Sequence, residues 1–200
     1  MDKIVKKYAE MYRGALRRHS IGDAEGRTQA YAEKLTEMYA SDAYRQHNIY
    51  PSIQTSKVYA VIAMCLMLKG YGYGKEEIFD IVNDAFRGIK ALFGCLEKVI
   101  DALPCAWAVA RKWNINDYES RLKDGSITFD YFTVEDGKIA YSINKCMYVE
   151  MFDYYGIREY CKIFCITDTQ AYANLTKHVK FVRHSDLSDG ECCRDEVIRL

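Results

Sequence analysis

The side chains that could take part in catalysis are concentrated between residues 141 and 195. Five of the eight cysteines fall in this stretch, accompanied by acids and bases. Such side chains together can perform nucleophilic attack and proton transfer. The candidate catalytic residues are Cys146, Cys165, Asp168, Cys193 and Asp195, and the candidate substrate-binding residues are Tyr148, Arg183 and His184. If the protein does chemistry, we expect it here.

Cys146 stands where a predicted strand meets a predicted helix. In the first turn of a helix, unpaired N–H groups and the helix dipole lower a thiol pKa and favour the thiolate. A nucleophilic cysteine is commonly made in this way. The alternative interpretation of Cys146 is a buried structural thiol.

Four charged or titratable residues each have two interpretations. Asp168 either caps the segment 169–174 or has a functional role, in which it binds a cationic amidine or activates water. Arg183 either forms a bidentate pair with a substrate carboxylate or faces solvent or an internal acid. Asp195 lies mid-strand, where aspartate is depleted, so we expect a partner or a function for it. His184 is either a proton shuttle or a surface residue.

Two cysteine pairs suggest a zinc module as an alternative. The residues are Cys161 and Cys165, then Cys192 and Cys193, with His178 or His184 nearby. Zinc sites usually show two tight knuckles of closely spaced cysteines, and adjacent cysteines chelate poorly. We therefore assign no metal ligands and expect no cofactor.

Composition narrows the class of protein. Lys and Arg together number 28 and so do Asp and Glu, which leaves no electrostatic footprint for nucleic acid. The charged start has no signal-peptide core, and the apolar run Val58–Leu68 is about half of the ~20 residues that a membrane span needs. We expect a cytoplasmic protein with reduced thiols and a small-molecule substrate. The oligomeric state stays open.

The first half of the chain has helical periodicity throughout. Amphipathic or apolar patterns predict helices over 2–19, 23–39, 57–69, 75–103 and 104–113, with a loop at 45–52. Thr55 and Ser56 are predicted to cap the third helix, which is apolar almost all round and therefore buried. Gly88 or Gly94 is predicted to bend the fourth.

The period changes to two in the second half. Alternating residues over 127–143, around Glu135-Asp136-Gly137-Lys138, predict a hairpin, and strands at 179–184 and 192–200 predict another. Helices at 146–155 and 158–164 separate them. The sequence thus predicts an α+β fold, in which a helical N-terminal half packs on a four-stranded antiparallel sheet made of two hairpins. We expect one domain over 1–200, with a helical scaffold at 1–115 and the site at 126–200.

The order of residues in the last seventy positions resembles the L-2-amino-thiazoline-4-carboxylic acid hydrolase family. The resemblance rests on Cys146-x-Tyr148, Glu150, Phe152, Gly156, Phe164-Cys165, Asp168, Asn174, Phe181-x-Arg183, Gly190 and Cys193/Asp195. Three residues depart from the family pattern. Arg194 stands where the family has its last cysteine, His184 replaces a threonine, and Glu196 replaces a phenylalanine.

This resemblance implies hydrolytic opening of a cyclic isothiourea to N-carbamoyl-cysteine. The ring amidinium would need carboxylates such as Asp168 and Asp195, and the substrate carboxylate would need Arg183. Water or a thiolate, Cys146 or Cys165, would attack C2. His184 or a cysteine would protonate the departing sulfur.

The layout also resembles 4-vinyl-reductase-type ligand-binding domains. That likeness is at the level of fold, and it implies a small-molecule sensor or binding module without catalysis.

Overall fold

The computed structural model describes residues 2–200, with side chains described outside residues 88–93. The helices are α1 (Lys3–Arg18), α2 (Ala24–Ala40), α3 (Asp42–His47), α4 (Ser52–Gly70), α5 (Lys75–Ala85), α6 (Arg87–Asp101), α7 (Ala106–Asp124), α8 (Met147–Tyr154) and α9 (Lys162–Tyr172). The strands are β1 (Ile127–Val134), β2 (Lys138–Cys146), β3 (Val179–Ser185) and β4 (Cys193–Arg199). The predicted α+β class is confirmed.

The chain divides into two compact units, Met1–Gly88 and Ile89–Leu200. The first contains α1–α5, and the second contains the sheet with α7–α9. That the 200 residues form one domain stays a prediction. In the described part of the chain, no helix combines the length and the apolar character needed to cross a membrane.

In the first unit, α4 is the central buried helix that the sequence predicts. Its start differs from the prediction, because Pro51 precedes the first turn and Thr55 and Ser56 lie buried inside the helix. The Thr55 hydroxyl donates to the Pro51 carbonyl at 3.2 Å, so it bonds the preceding turn instead of capping. The predicted loop at 45–52 is also partly wrong, since α3 extends to His47.

In the middle of the chain, two helices have boundaries that differ from the predicted ones. The predicted helix 75–103 is two helices that break at Phe86, close to the predicted bend. The helix predicted to end at Trp113 continues for three more turns as α7, and so the helical segment passes residue 115. It stops at Gly125, which has a left-handed backbone with φ of 67° that glycine adopts readily.

The second unit is organised around a sheet with strand order β1-β2-β4-β3, in which all neighbours are antiparallel. Both predicted hairpins are present, and β2 pairs with β4 to join them. One face packs against α7 and α9. The hydrophobic core on this side of the sheet comprises Trp107, Ala110, Ile139, Tyr172, Leu175, Val179 and Val197. This packing holds one face of α7 and one face of α9 against the same side of the sheet.

The connection from β3 to β4 is held by one arginine. Arg158 donates from Nε and Nη2 to the Leu187 carbonyl at 3.0 and 2.6 Å, and from Nη2 to the Gly190 carbonyl at 3.3 Å. A Cβ at Gly190 would lie 2.9 Å from the Asp186 carbonyl oxygen, so only glycine fits without a shift of backbone. This loop sets where β4, with Cys193 and Asp195, begins.

Replacing Gly190 with Ala should lower the free energy of unfolding by about 1–3 kcal/mol, because the added methyl group meets backbone. Urea denaturation followed by circular dichroism measures the effect. Gly137→Ala, in the other hairpin, is the matched control, because a Cβ there meets nothing within 4 Å. Equal stability of the two variants would contradict the close packing of this loop.

Candidate functional site

One face of α9 carries the thiols and the carboxylate that the sequence singles out. Cys161, at the end of a 3-10 turn, leads into α9, and Cys165, Asp168 and Tyr172 follow at intervals of four, three and four. That spacing places all four on one helical face. The prediction that Asp168 follows its helix and caps the next segment is wrong, because α9 continues to Tyr172.

Arg183 joins this helix face to the sheet. Arg183 and Asp195 are directly paired across β3 and β4. The Arg183 Nε donates to Asp195 Oδ1 at 2.9 Å, and Nη2 donates to Asp195 Oδ2 at 2.8 Å. Nη2 also donates to Asp168 Oδ2 at 2.9 Å, and Nη1 donates to the Cys165 carbonyl.

These bonds decide between the two interpretations of Arg183. Its Nε–Nη2 edge, which would form a fork with a substrate carboxylate, is already bonded to the internal acid Asp195. The structure thus favours the internal-acid interpretation, and the binding of a substrate carboxylate by Arg183 stays a prediction. Asp195, by contrast, has the kind of partner that was predicted for an aspartate in the middle of a strand.

The two carboxylates that share Arg183 have different surroundings. The Asp195 side chain is 1% exposed, whereas the Asp168 side chain is 55% exposed. Desolvation by the surrounding protein nevertheless raises the pKa of Asp168, and the Arg183 guanidinium opposes this rise. More than half of the Asp168 side chain is exposed to solvent, whereas Asp195 is enclosed by the protein. Asp168 is thus the acid of this pair that a ligand can reach.

Cys146 and Tyr148 lie near Asp168. Both side chains are half-buried, and Coulombic interaction with Asp168 contributes to the raised pKa of each. Tyr148 stacks on Phe164 with ring centroids 4.8 Å apart, which fixes it at the start of α8. Burial raises the Tyr148 pKa to about 12, so its hydroxyl keeps its proton at neutral pH.

Of the two interpretations of Cys146, the structure favours the buried thiol over the thiolate. Cys146 ends β2 and precedes the first turn of α8, as predicted. Burial raises its pKa to about 11, and the backbone N–H groups of Val149 and Tyr148 only partly oppose this. Desolvation outweighs the helix N-terminus, so Cys146 is a neutral thiol at neutral pH.

Cys165 is the thiol whose pKa is lowered. The cause is a hydrogen bond from the Cys161 thiol to the Cys165 sulfur, which outweighs the effect of burial. The nearby Arg183 guanidinium acts in the same direction. The pKa of Cys161 is raised correspondingly, because it must keep its proton to donate. Among Cys146, Cys161, Cys165 and Cys193, only Cys165 has a pKa below its ordinary value.

Cys193 lies on the same face of β4 as Asp195 and is buried. The Leu187 N–H donates to its sulfur at 3.2 Å. Burial still raises the Cys193 pKa to about 12, with only partial opposition from that bond. Cys193 therefore lies beside the other candidate site residues as a protonated thiol.

His184 lies apart from the others. As the neighbour of Arg183 in β3 it faces the opposite side of the sheet, where its Nε2 lies 3.6 Å from Glu196 Oε2. The zinc interpretation stays an untested alternative. Cys192 Sγ lies 3.9 Å from the Ser185 hydroxyl, and within the described residues no three His, Cys, Asp or Glu side chains are grouped to hold a metal ion.

A polar face on α7 was not expected from the sequence. Asn114, Asp117 and Arg121 lie three and four residues apart and thus on one side. The Asn114 amide donates to the Tyr172 hydroxyl at 2.8 Å, which ties this face to the polar face of α9. The three-and-four spacing is the signal that could have found these residues, but the helix was predicted to end at Trp113.

Thiol reactivity should follow these pKa directions. In iodoacetamide labelling across a pH series, read by mass spectrometry of peptides, Cys165 should react at lower pH than Cys146 and Cys193. The exposed Cys95 and Cys105 serve as internal references for accessible thiols. Cys161→Ala should move Cys165 labelling to higher pH because the donor is lost, while Cys192→Ala should not. Labelling of Cys146 before Cys165 would contradict the assignment.

Removing Arg183 should destabilise the second unit. Arg183→Met leaves Asp195 buried without a cation, and breaking such a pair costs about 3–5 kcal/mol of unfolding free energy. Chemical denaturation measures the loss, with Arg194→Met, exposed in β4, as the matched control. Adding Asp195→Asn to Arg183→Met should recover part of the loss. If both arginine variants were equally stable, the bridge would not be a stabilising interaction.

One protein family matches most of this chain. The family model described as L-2-amino-thiazoline-4-carboxylic acid hydrolase matches residues 53–195. The match reaches back to α4, well beyond the last seventy residues that carry the sequence resemblance. Neither the curated proteins nor the solved structures contain a match to this sequence. From the extent of the family match, the chain belongs to the L-2-amino-thiazoline-4-carboxylic acid hydrolase family.

Proposed function

We propose that the protein is a hydrolase that opens a cyclic isothiourea such as L-2-amino-thiazoline-4-carboxylate to N-carbamoyl-cysteine. The observation that carries the proposal is the pairing of Cys165, whose pKa is lowered, with Asp168, a half-exposed carboxylate three residues further along the same helix face. A nucleophile beside an anion suits a substrate whose reacting carbon belongs to a cationic amidine.

Asp168 would bind the ring amidinium. Its pKa is raised by desolvation, and a cation beside the carboxylate offsets that effect by favouring the charged form. Arg183 fixes Asp168 Oδ2 at 2.9 Å, so the carboxylate is oriented before substrate arrives. Asp195 supports this arrangement as the buried counter-ion of Arg183 rather than as a group that touches substrate.

Cys165 would attack the amidine carbon. Addition of the Cys165 sulfur to C2 and cleavage of the C2–S bond leave an isothiouronium on the enzyme and a thiolate on the substrate. The neutral thiol of Cys146 supplies the proton to that thiolate, and backbone N–H groups at the start of α8 stabilise the Cys146 anion. Water then adds to the same carbon, and the bond to Cys165 breaks to restore the Cys165 thiolate. Of the two protons set free, one returns to Cys146 and the other goes to solvent, and N-carbamoyl-cysteine is released.

Turnover of L-2-amino-thiazoline-4-carboxylate tests the proposal. The purified protein should release N-carbamoyl-cysteine, detected by mass spectrometry and by titration of its new thiol. Cys165→Ser should reduce kcat by about 1,000-fold or more, since the nucleophile is lost. Asp168→Asn should reduce kcat/KM by about 100-fold or more, and Cys192→Ala should retain wild-type rates.

The pH profile supplies a second criterion. Because the Cys165 pKa is lowered, kcat/KM should rise with pH and level off below the ordinary thiol value of 9.0. Thermal stabilisation by the thiazoline without any turnover would instead indicate a ligand-binding module and overturn the hydrolase proposal.

A further inference from the structure

The second half of the proposed reaction brings an oxygen to C2, when water attacks the carbon that is bound to the enzyme. A hydrogen-bond donor aimed at that oxygen stabilises the tetrahedral intermediate. The nitrogens of Arg183 are engaged with acceptors of the protein, and the Tyr172 hydroxyl is bonded to Asn114. The donor for this oxygen is therefore still to be assigned, and its assignment rests on the proposed hydrolase function.

Tyr141 lies in the same row of side chains as the bridge that Arg183 forms. Tyr141 on β2 is directly paired with Asp195 on β4, and Asp195 is directly paired with Arg183 on β3. Directly paired residues point to the same face of a sheet, with their Cβ atoms about 5 Å apart. This is also the face on which α9 lies, where Asp168 accepts from Arg183. Tyr141 is therefore a neighbour of both acids of the bridge.

The electrostatic surroundings of the Tyr141 hydroxyl agree with this placement. Burial raises the pKa of Tyr141 well above its ordinary value, and the charges of Asp195 and Asp168 raise the pKa further. The Arg183 guanidinium only partly opposes the rise. The hydroxyl therefore keeps its proton at neutral pH and is available as a hydrogen-bond donor.

The Tyr141 hydroxyl is also unbonded and open to solvent. Within the part of the chain that the structure describes, it makes no hydrogen bond. The described side-chain oxygens that are both unbonded and sealed from solvent belong to Tyr12 and Ser126, so the Tyr141 hydroxyl is not sealed. Its side chain is half-buried, and the Asp168 side chain beside it is 55% exposed. A small molecule bound at Asp168 thus has an unused donor next to it.

The ring of Tyr141 is held in place by two phenylalanines of β1. Phe132 stacks on it with ring centroids 6.1 Å apart, and Phe129 meets it edge to face at 6.3 Å. These contacts fix the direction of the hydroxyl before substrate arrives. A donor that is oriented in advance stabilises an intermediate without a further cost of ordering.

We infer that Tyr141 donates a hydrogen bond to the oxygen that water adds to C2. The same carbon carries the amidine nitrogens that Asp168 would bind, so a donor beside Asp168 is placed to reach the oxygen. The hydrogen bond stabilises this oxygen while it becomes the carbonyl oxygen of the product and the bond to Cys165 breaks. Tyr141 keeps its own proton throughout, so the two protons from water still go to Cys146 and to solvent.

Tyr141→Phe tests the inference, because it removes the hydroxyl and keeps the ring with its contacts. The substrate thiol is released before water attacks, so the variant should release about one equivalent of thiol per active site at the wild-type rate. The adduct on Cys165 should then persist about 100-fold longer than in wild type, the usual effect of removing one such donor. Rapid quenching and mass spectrometry of the intact protein measure its decay. In the steady state, kcat should fall and kcat/KM should change little, since kcat/KM reports the steps up to thiol release.

The matched control is Tyr131→Phe. Tyr131 is 46% exposed and pairs with Ser142, which points to the opposite face of the sheet from its neighbour Tyr141, so this variant should behave as wild type. Tyr141→His restores a ring with an N–H donor, and its adduct should have an intermediate lifetime. Circular dichroism and urea denaturation establish that each variant is folded, and the Tyr141→His result stands in if Tyr141→Phe is not.

The negative outcomes are distinct. If wild type turns over the thiazoline and Tyr141→Phe accumulates no adduct, or slows thiol release as much as decay of the adduct, the Tyr141 inference is overturned while the hydrolase function stands. If wild type neither turns over the thiazoline nor forms an adduct with it, the hydrolase function fails, and the role of Tyr141 fails with it.

Discussion

A single guanidinium joins the helix that carries the thiols to the sheet beneath it. Arg183 bonds Asp195 on the neighbouring strand and Asp168 on α9. Because the Asp195 side chain is 1% exposed, its charge requires that partner, and the partner in turn fixes Asp168. The interaction that stabilises the buried acid is therefore the one that orients the accessible acid.

The cysteines around this bridge have different pKa values, and their spacing in the sequence does not reveal why. Cys146 has the helix N-terminus that should favour a thiolate, yet desolvation raises its pKa to about 11. Cys165 has a thiol donor in Cys161, and that hydrogen bond lowers its pKa despite burial. A nearby hydrogen-bond donor thus decides between otherwise similar thiols, and the neutral Cys146 becomes the proposed proton donor.

Much of the fold follows from local pattern. The period of two and the Asp136-Gly137 turn predicted the first hairpin, because side chains alternate across a sheet with one covered face. The ends of the helices were harder to predict than the hairpins. The continuation of α7 past Trp113 was not predicted because Asn114, Asp117 and Arg121 are polar, so this part of the helix lacks the apolar stripe that marks a buried helix. The same polar residues were therefore missed as candidate site residues.

The sequence by itself determined the α+β class, the two hairpins and the group of residues from Cys146 to Asp195 in which chemistry was expected. Periodicity and residue type are local properties, and they carry that information. Only the tertiary structure decided that Arg183 is bonded internally, that His184 faces away, and that Cys165 has the lowered pKa. Those outcomes depend on which side chains from distant segments become neighbours, and on how far each is removed from water.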